Sequence, residues 1–104
     1  MNPIVSDQST ITLTPQDERL IFTMQLLGDA TRYKIFKLLL DGSDRCVGEI
    51  AAELDISISA VSQHFRHFER LGLVDKQRTG QKICYLLRCE DELVEEVTKL
   101  ISSK

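Results

Sequence analysis

The 104-residue chain holds little of what metal or catalytic chemistry needs. Its two histidines, His64 and His67, restrict any metal site at once. Its cysteines, Cys46, Cys84 and Cys89, are odd in number and form no CxxC pair, so a disulfide framework is not expected. Reducing conditions would keep them as thiols. There is no glycine loop for phosphate, no nucleophile set beside a histidine in a recognisable motif, and no carboxylate pair better than Glu95-Glu96 on a helix surface. An enzyme is not expected, nor a cofactor. No apolar run approaches the roughly 20 residues a membrane-spanning helix needs. Met1 to Asp7 lacks the basic start and apolar block of a signal peptide. The expectation is a cytoplasmic chain of about one domain, without membrane contact or internal repeat.

What is present is an uneven charge. The formal net charge is −3, unpromising for a partner of nucleic acid, yet residues 57–88 hold six basic residues (Arg66, Arg70, Lys76, Arg78, Lys82, Arg88) against Glu69 and Asp75. The remainder holds seven basic against fourteen acidic residues. A basic segment on an acidic body concentrates positive potential on one face, as phosphate contact requires.

Hydrophobic spacing divides the chain. Residues 1–13 read as a loosely held arm, and residues 14–104 as the folded domain. Thr14-Pro15 predicts a helix start, with Asp17 and Glu18 in its first turn. That helix carries Leu20, Ile21, Met24 and Leu27 on one stripe and closes at Gly28. Asp29 caps a second helix to about Leu40, burying Ile35, Phe36, Leu39 and Leu40. Asp41 to Asp44 is a turn. Val47, Ile50, Ala51 and Leu54 fall at i, i+3, i+4 and i+7, one face of a third helix. Asp55-Ile56-Ser57 is a tight connector. Val61, Phe65, Phe68 and Leu71 then define a fourth helix ending at Gly72. Two amphipathic helices joined by about three residues fit a helix-turn-helix. Residues 73–78 and 82–88, around Thr79-Gly80-Gln81, predict a hairpin. A last helix follows from Asp91 to about Ser102. The expected fold is mainly α with a small β-hairpin wing, in the order α-α-α-α-β-β-α.

Several stretches together resemble the ArsR/SmtB family of winged-helix repressors, over roughly residues 15–102. They are Leu27-Gly28-Asp29-Ala30-Thr31-Arg32, Val47-Gly48-Glu49-Ile50-Ala51, Ser57 to Phe65, Gly72-Leu73-Val74, and Arg78 to Lys82. The resemblance implies a winged helix-turn-helix dimer that occupies an inverted-repeat operator and is released by an inducer. Promoter occlusion is the expected mechanism, since the chain offers no room for an activation domain.

In a helix-turn-helix the start of the second helix enters the major groove. With Val61, Phe65, Phe68 and Leu71 inward, the face toward DNA is Ser57, Ser59, Ala60, Ser62, Gln63, Arg66 and His67, with Arg70 beyond. Gln63 can bond adenine bidentately, and Arg66 suits a phosphate. Arg78, Gln81 and Lys82 at the hairpin tip suit the backbone or minor groove. The plain alternative for each is a solvated polar face. His64, at the edge of the buried stripe, is expected to be partly buried and hydrogen-bonded rather than a ligand. Leu20 and Met24 of the first helix, with Leu93, Val97, Leu100 and Ile101 of the last, are expected to form the homodimer interface. Small chains bury little surface alone, which favours pairing.

Family members bind metal through a CxC pair near the third helix, or through Asp and His on the last. Here Gly48 follows Cys46 where the second thiolate would stand, and Leu93 takes the place of the histidine after Asp91. Both metal sites look lost, so no metal is expected. In a winged helix the residues before the third helix can pair with the far arm of the wing, which would bring Cys46 near Cys84. Two readings stay open for Cys46, Cys84 and Cys89: a redox or arsenite-responsive thiol switch, or three small buried residues. A second functional class also stays open, a winged helix that docks residues 57–88 on an acidic protein partner without binding DNA.

Overall fold

The computed structural model describes residues 10–104, so residues 1–9 of the expected arm lie outside it. Residues 10–14 form no helix or strand. The elements are α1 (Pro15–Leu27), α2 (Ala30–Leu38), β1 (Arg45–Cys46), α3 (Val47–Leu54), α4 (Ile58–Arg70), β2 (Val74–Thr79), β3 (Lys82–Leu87) and α5 (Glu92–Ser102). The strands form one antiparallel sheet in the order β1-β3-β2. The predicted class holds, with the two-residue β1 added.

Short polar side chains start the helices. The Thr14 hydroxyl oxygen accepts from the Asp17 amide while the Asp17 carboxylate accepts from the Thr14 amide, a reciprocal capping box. Asp29 accepts from the Arg32 amide, Ser57 from Ala60, and Asp91 from both Leu93 and Val94. Helix α2 ends two residues before the expected Leu40, because Leu39 and Leu40 donate back only three residues, to Phe36 and Lys37. Gly28 caps α1 with right-handed backbone (φ −72°), and the next cap, Asp29, follows at once.

The connector between α3 and α4 turns on Asp55, at φ +56°. Asp is among the few residues that visit the left-handed region readily. This conformation lets the Ile56 amide donate to the Ala51 carbonyl at 3.1 Å and aims the chain into α4. In the hairpin Thr79 faces Lys82, so the loop is Gly80-Gln81 alone, one residue shorter than expected. Gly80 supplies the positive φ of +62° that such a tight loop needs.

The core lies between α2, α3, α4 and the sheet. Phe65 stacks on Tyr85 with ring centroids 4.0 Å apart and planes at 6°, and Phe68 lies 5.6 Å from Phe65. Ile35, Phe36, Leu39, Ile50, Val61, Leu73, Leu87 and Val94 complete it. Helix α1 packs inward through Thr23 and Leu26, not through Leu20 and Met24. Leu40, expected to be buried, is only partly so.

Arg19 ties the outer helices to the helix-turn-helix. Its guanidinium donates to the carbonyls of Leu71 and Gly72, where α4 ends, and pairs with Asp91 at 3.1 Å. Burial works against the Asp91 charge, but the bonds from Arg19, Val94 and Leu93 outweigh it and hold the carboxyl below its ordinary value.

Candidate nucleic-acid interface

Helix α4 buries Val61, Phe65 and Phe68, and this fixes what the opposite face presents. Ser57, Ser59, Gln63, Arg66, His67 and Arg70 are exposed, while Ala60 and Ser62 are half-buried. The Ser57 hydroxyl oxygen already caps the helix, leaving its proton to donate outward. At the wing, Arg78, Gln81 and Lys82 are all exposed. Ser62 on α4 and Gln81, Lys82 and Ile83 on the wing line one cleft of about 580 Å³. The start of the second helix and the hairpin tip therefore face a common space.

The charges on this side lack partners. Among the described residues the ion pairs are Arg19–Asp91, Arg45–Asp41, Arg88–Asp75 and Lys99–Glu95. Of the six cations in residues 57–88 only Arg88 is in that set, which leaves Arg66, Arg70, Lys76, Arg78 and Lys82 with no carboxylate in reach. Burial, then Glu69, pushes the Tyr85 phenol above its ordinary range, while Arg78 and Arg66 pull the other way. Arg66 of α4 and Arg78 of the wing thus lie near the same group. Burial, and then the Arg32 guanidinium, lowers His64 below its ordinary value, against the pull of Asp29. His64 is half-buried as expected, but it forms no hydrogen bond among the described residues.

Ile58 escaped the sequence reading. It sits at the first position of α4, 54% exposed, and lines the cleft with Val47 and Ile83. Its place off the apolar period was the available signal.

Two expectations for the cysteines need correction. Cys46 and Cys84 stand opposite each other across β1 and β3 and are joined by a disulfide. Cys89 is free and exposed, so it is not a small core residue. Among the described residues no three His, Cys, Asp or Glu side chains gather in a way that could hold a metal ion.

The outer helices offer a different surface. Leu20, Met24 and Leu100 are exposed, Met24 and Leu100 by nearly three-fifths. Leu20 and Leu93 line one groove between α1 and α5. Phe22, which the sequence reading passed over, is exposed beside them in the chain. Ile101 is corrected: at 5% exposure it belongs to the subunit's own core, and Val97 is partly packed against that core. The α5 stripe is wide enough that one edge covers its own domain.

A helix-turn-helix followed by a hairpin that pairs back on a strand before its first helix defines a winged helix-turn-helix. Residues 29–76 match the model of the bacterial regulatory protein, arsR family. An uncharacterised HTH-type transcriptional regulator of Methanocaldococcus jannaschii is 32% identical over 74 residues, 71% of this chain and 81% of that protein. The chain belongs to the arsR family of regulatory proteins. The cadmium resistance transcriptional regulatory protein CadC of Listeria innocua is 31% identical over 64 residues, 62% of this chain and 54% of its own. The match thus spans about half the length of that relative. Among solved structures, HlyU from Vibrio cholerae superposes with a TM-score of 0.75 at 27% identity, covering 86% of this chain and 94% of that one. The two curated relatives are named as transcriptional regulators, and the family is one of regulators rather than enzymes.

Proposed function

We propose that the chain is a sequence-specific DNA-binding repressor that occupies an inverted-repeat operator as a homodimer. The observation that carries this reading is the set of exposed cations on α4 and the wing that pair with no carboxylate among the described residues, with Lys82 lining a cleft beside Ser62 and Gln81. Ser59, Ser62 and Gln63 approach base edges, where an amide can bond adenine in two places. Arg66, His67, Arg78 and Lys82 take phosphates and set the register, while Ser57 and Ala60 lie at the point of entry. The exposed apolar side chains Leu20, Met24 and Leu100 of α1 and α5, with the half-buried Leu93, pair two copies, with half-sites about one helical turn apart. Repression follows from occlusion of the promoter. Domain limits at residues 14–104 and a cytoplasmic location fit this role. Among the described residues no helix is long and apolar enough to cross a membrane.

Titration of fluorescent duplex DNA at several salt concentrations tests the reading. Each phosphate contact adds about 0.9 to the slope of log affinity against log salt. A steep slope together with discrimination between the chain's own upstream DNA and random duplex is the expected result. Salt-independent or absent binding would move the assignment to docking on an acidic protein.

A further inference from the structure

We propose that Cys46 is a thiol-exchange site: a low-molecular-weight thiol enters the cleft between α4 and the wing, opens the Cys46–Cys84 disulfide and stays on Cys46 as an adduct that displaces DNA. The proposal rests on the DNA-interface reading above and names how that interface is regulated.

The two sulfurs of the disulfide are not equivalent. Cys84 is 1% exposed, sealed in the sheet, whereas Cys46 is half-buried and lines the cleft. An incoming thiolate can reach only the Cys46 sulfur, and access decides which sulfur is attacked. The cleft, about 580 Å³, falls in the size range of small-molecule sites. Val47, Ile58 and Ile83 give it apolar walls, and Lys82 sets a cation there that favours a thiol bearing carboxylates. The Glu49 carboxylate also lines it, but that group accepts a hydrogen bond from the Cys46 amide at 3.0 Å and is held at the start of α3.

The step balances without another oxidant. The thiol RSH gives up its proton, RS⁻ forms a bond to the Cys46 sulfur, the Cys46–Cys84 bond breaks, and Cys84 leaves with the electron pair and takes a proton. The product is RS–S–Cys46 with a Cys84 thiol. A second RSH can then attack the adduct, releasing RSSR and a Cys46 thiol. Cys46 is the N-cap of α3, a place that favours the thiolate it becomes as it leaves.

Two consequences bear on DNA. The adduct fills the space bounded by Ser62, Gln81 and Lys82, which the interface needs. The disulfide also closes a loop with a sequence separation of 38 that contains α3, α4 and β2. Opening it removes the covalent tie between the wing and the base of the helix-turn-helix and leaves the short β1–β3 pairing to hold them.

The test uses disulfide-bonded C89S protein, which lacks the free cysteine among the described residues, treated with reduced glutathione. Peptide mass mapping is expected to find one glutathione on Cys46 and none on Cys84. The adduct should bind operator DNA at least tenfold more weakly, and prebound duplex should slow its formation several-fold. A C84S/C89S variant, whose Cys46 takes the same adduct from oxidised glutathione, should lose DNA affinity equally. Adduct on Cys84, no adduct on either protein, or an adduct that binds DNA as tightly as the untreated protein would overturn the proposal. If untreated protein binds no duplex at any salt while Cys46 still takes the adduct, the DNA-interface reading has failed and the exchange chemistry has not.

Discussion

The helix-turn-helix with its wing and the pair of outer helices, α1 and α5, present opposite kinds of surface. The first carries five cations without carboxylate partners among the described residues, and few exposed apolar groups besides Ile58. The second carries Leu20, Phe22, Met24 and Leu100 in the open, with acidic residues such as Asp17, Glu92 and Glu96 around the groove between its helices. Unpaired positive charge is a surface for a polyanion, and exposed apolar side chains are a surface for another folded chain. One small core supports both, and substitutions can separate them.

The largest effect is expected where the two regions share their support. Phe65→Ala removes the ring stacked on Tyr85 and should cost about 3–5 kcal/mol in urea unfolding, taking both surfaces with it. A loss under 1 kcal/mol would mean that the α4–wing contact does not organise the fold. Arg19→Ala cuts the link between the regions. Losing charge-assisted bonds to Asp91, Leu71 and Gly72 should cost about 1.5–3 kcal/mol, measured the same way. An unchanged midpoint would make this link ornamental.

Leu100→Asp together with Met24→Asp addresses the outer helices alone. Both side chains already sit in water in the single chain, so monomer stability should move by about 0.5 kcal/mol or less. Sedimentation should show dimer giving way to monomer, and operator affinity should fall because half-sites are no longer held together. A double variant that sediments as wild type would remove these helices from the dimer.

The smallest effect belongs to Asp91. Its folded pKa is lowered, so its contribution is complete above the unfolded value near 3.8 and is lost as pH falls through the lower folded value. Asp91→Asn should therefore destabilise the protein at neutral pH and flatten the fall in stability under acid, with little difference left at the lowest pH. Parallel stability curves for variant and parent would contradict this.

Much of this division was legible in the sequence, and the parts that were not have physical reasons. Among the described residues the five helices were placed to within about two residues, four by the local signal of Thr14, Asp29, Ser57 and Asp91 and α3 by the spacing of Val47, Ile50, Ala51 and Leu54. The exposed residues of α4 followed from its buried ones. Helix α1 was harder: Leu20, Ile21, Phe22, Met24, Leu26 and Leu27 leave almost no polar face to orient by, so the inward side, Thr23 and Leu26, emerges only from packing. Ile101 was misassigned for a related reason, since one stripe on α5 serves both its own core and open solvent. Strand β1 is too short for alternation to register. The nearness of Cys46 and Cys84 came from the resemblance, whereas the bond between them depends on a register that the sequence does not print.

The central claim, that the cations of α4 and the wing bind DNA phosphates, is tested most directly by the salt dependence of duplex binding in the Arg66→Ala, Arg78→Ala, Lys82→Ala triple variant beside wild type. All three side chains are exposed, so folding should be intact by circular dichroism. The account predicts a slope of log affinity against log salt reduced by roughly 2–3 per subunit, with a much weaker complex at low salt. A triple variant whose slope and affinity match wild type would contradict it.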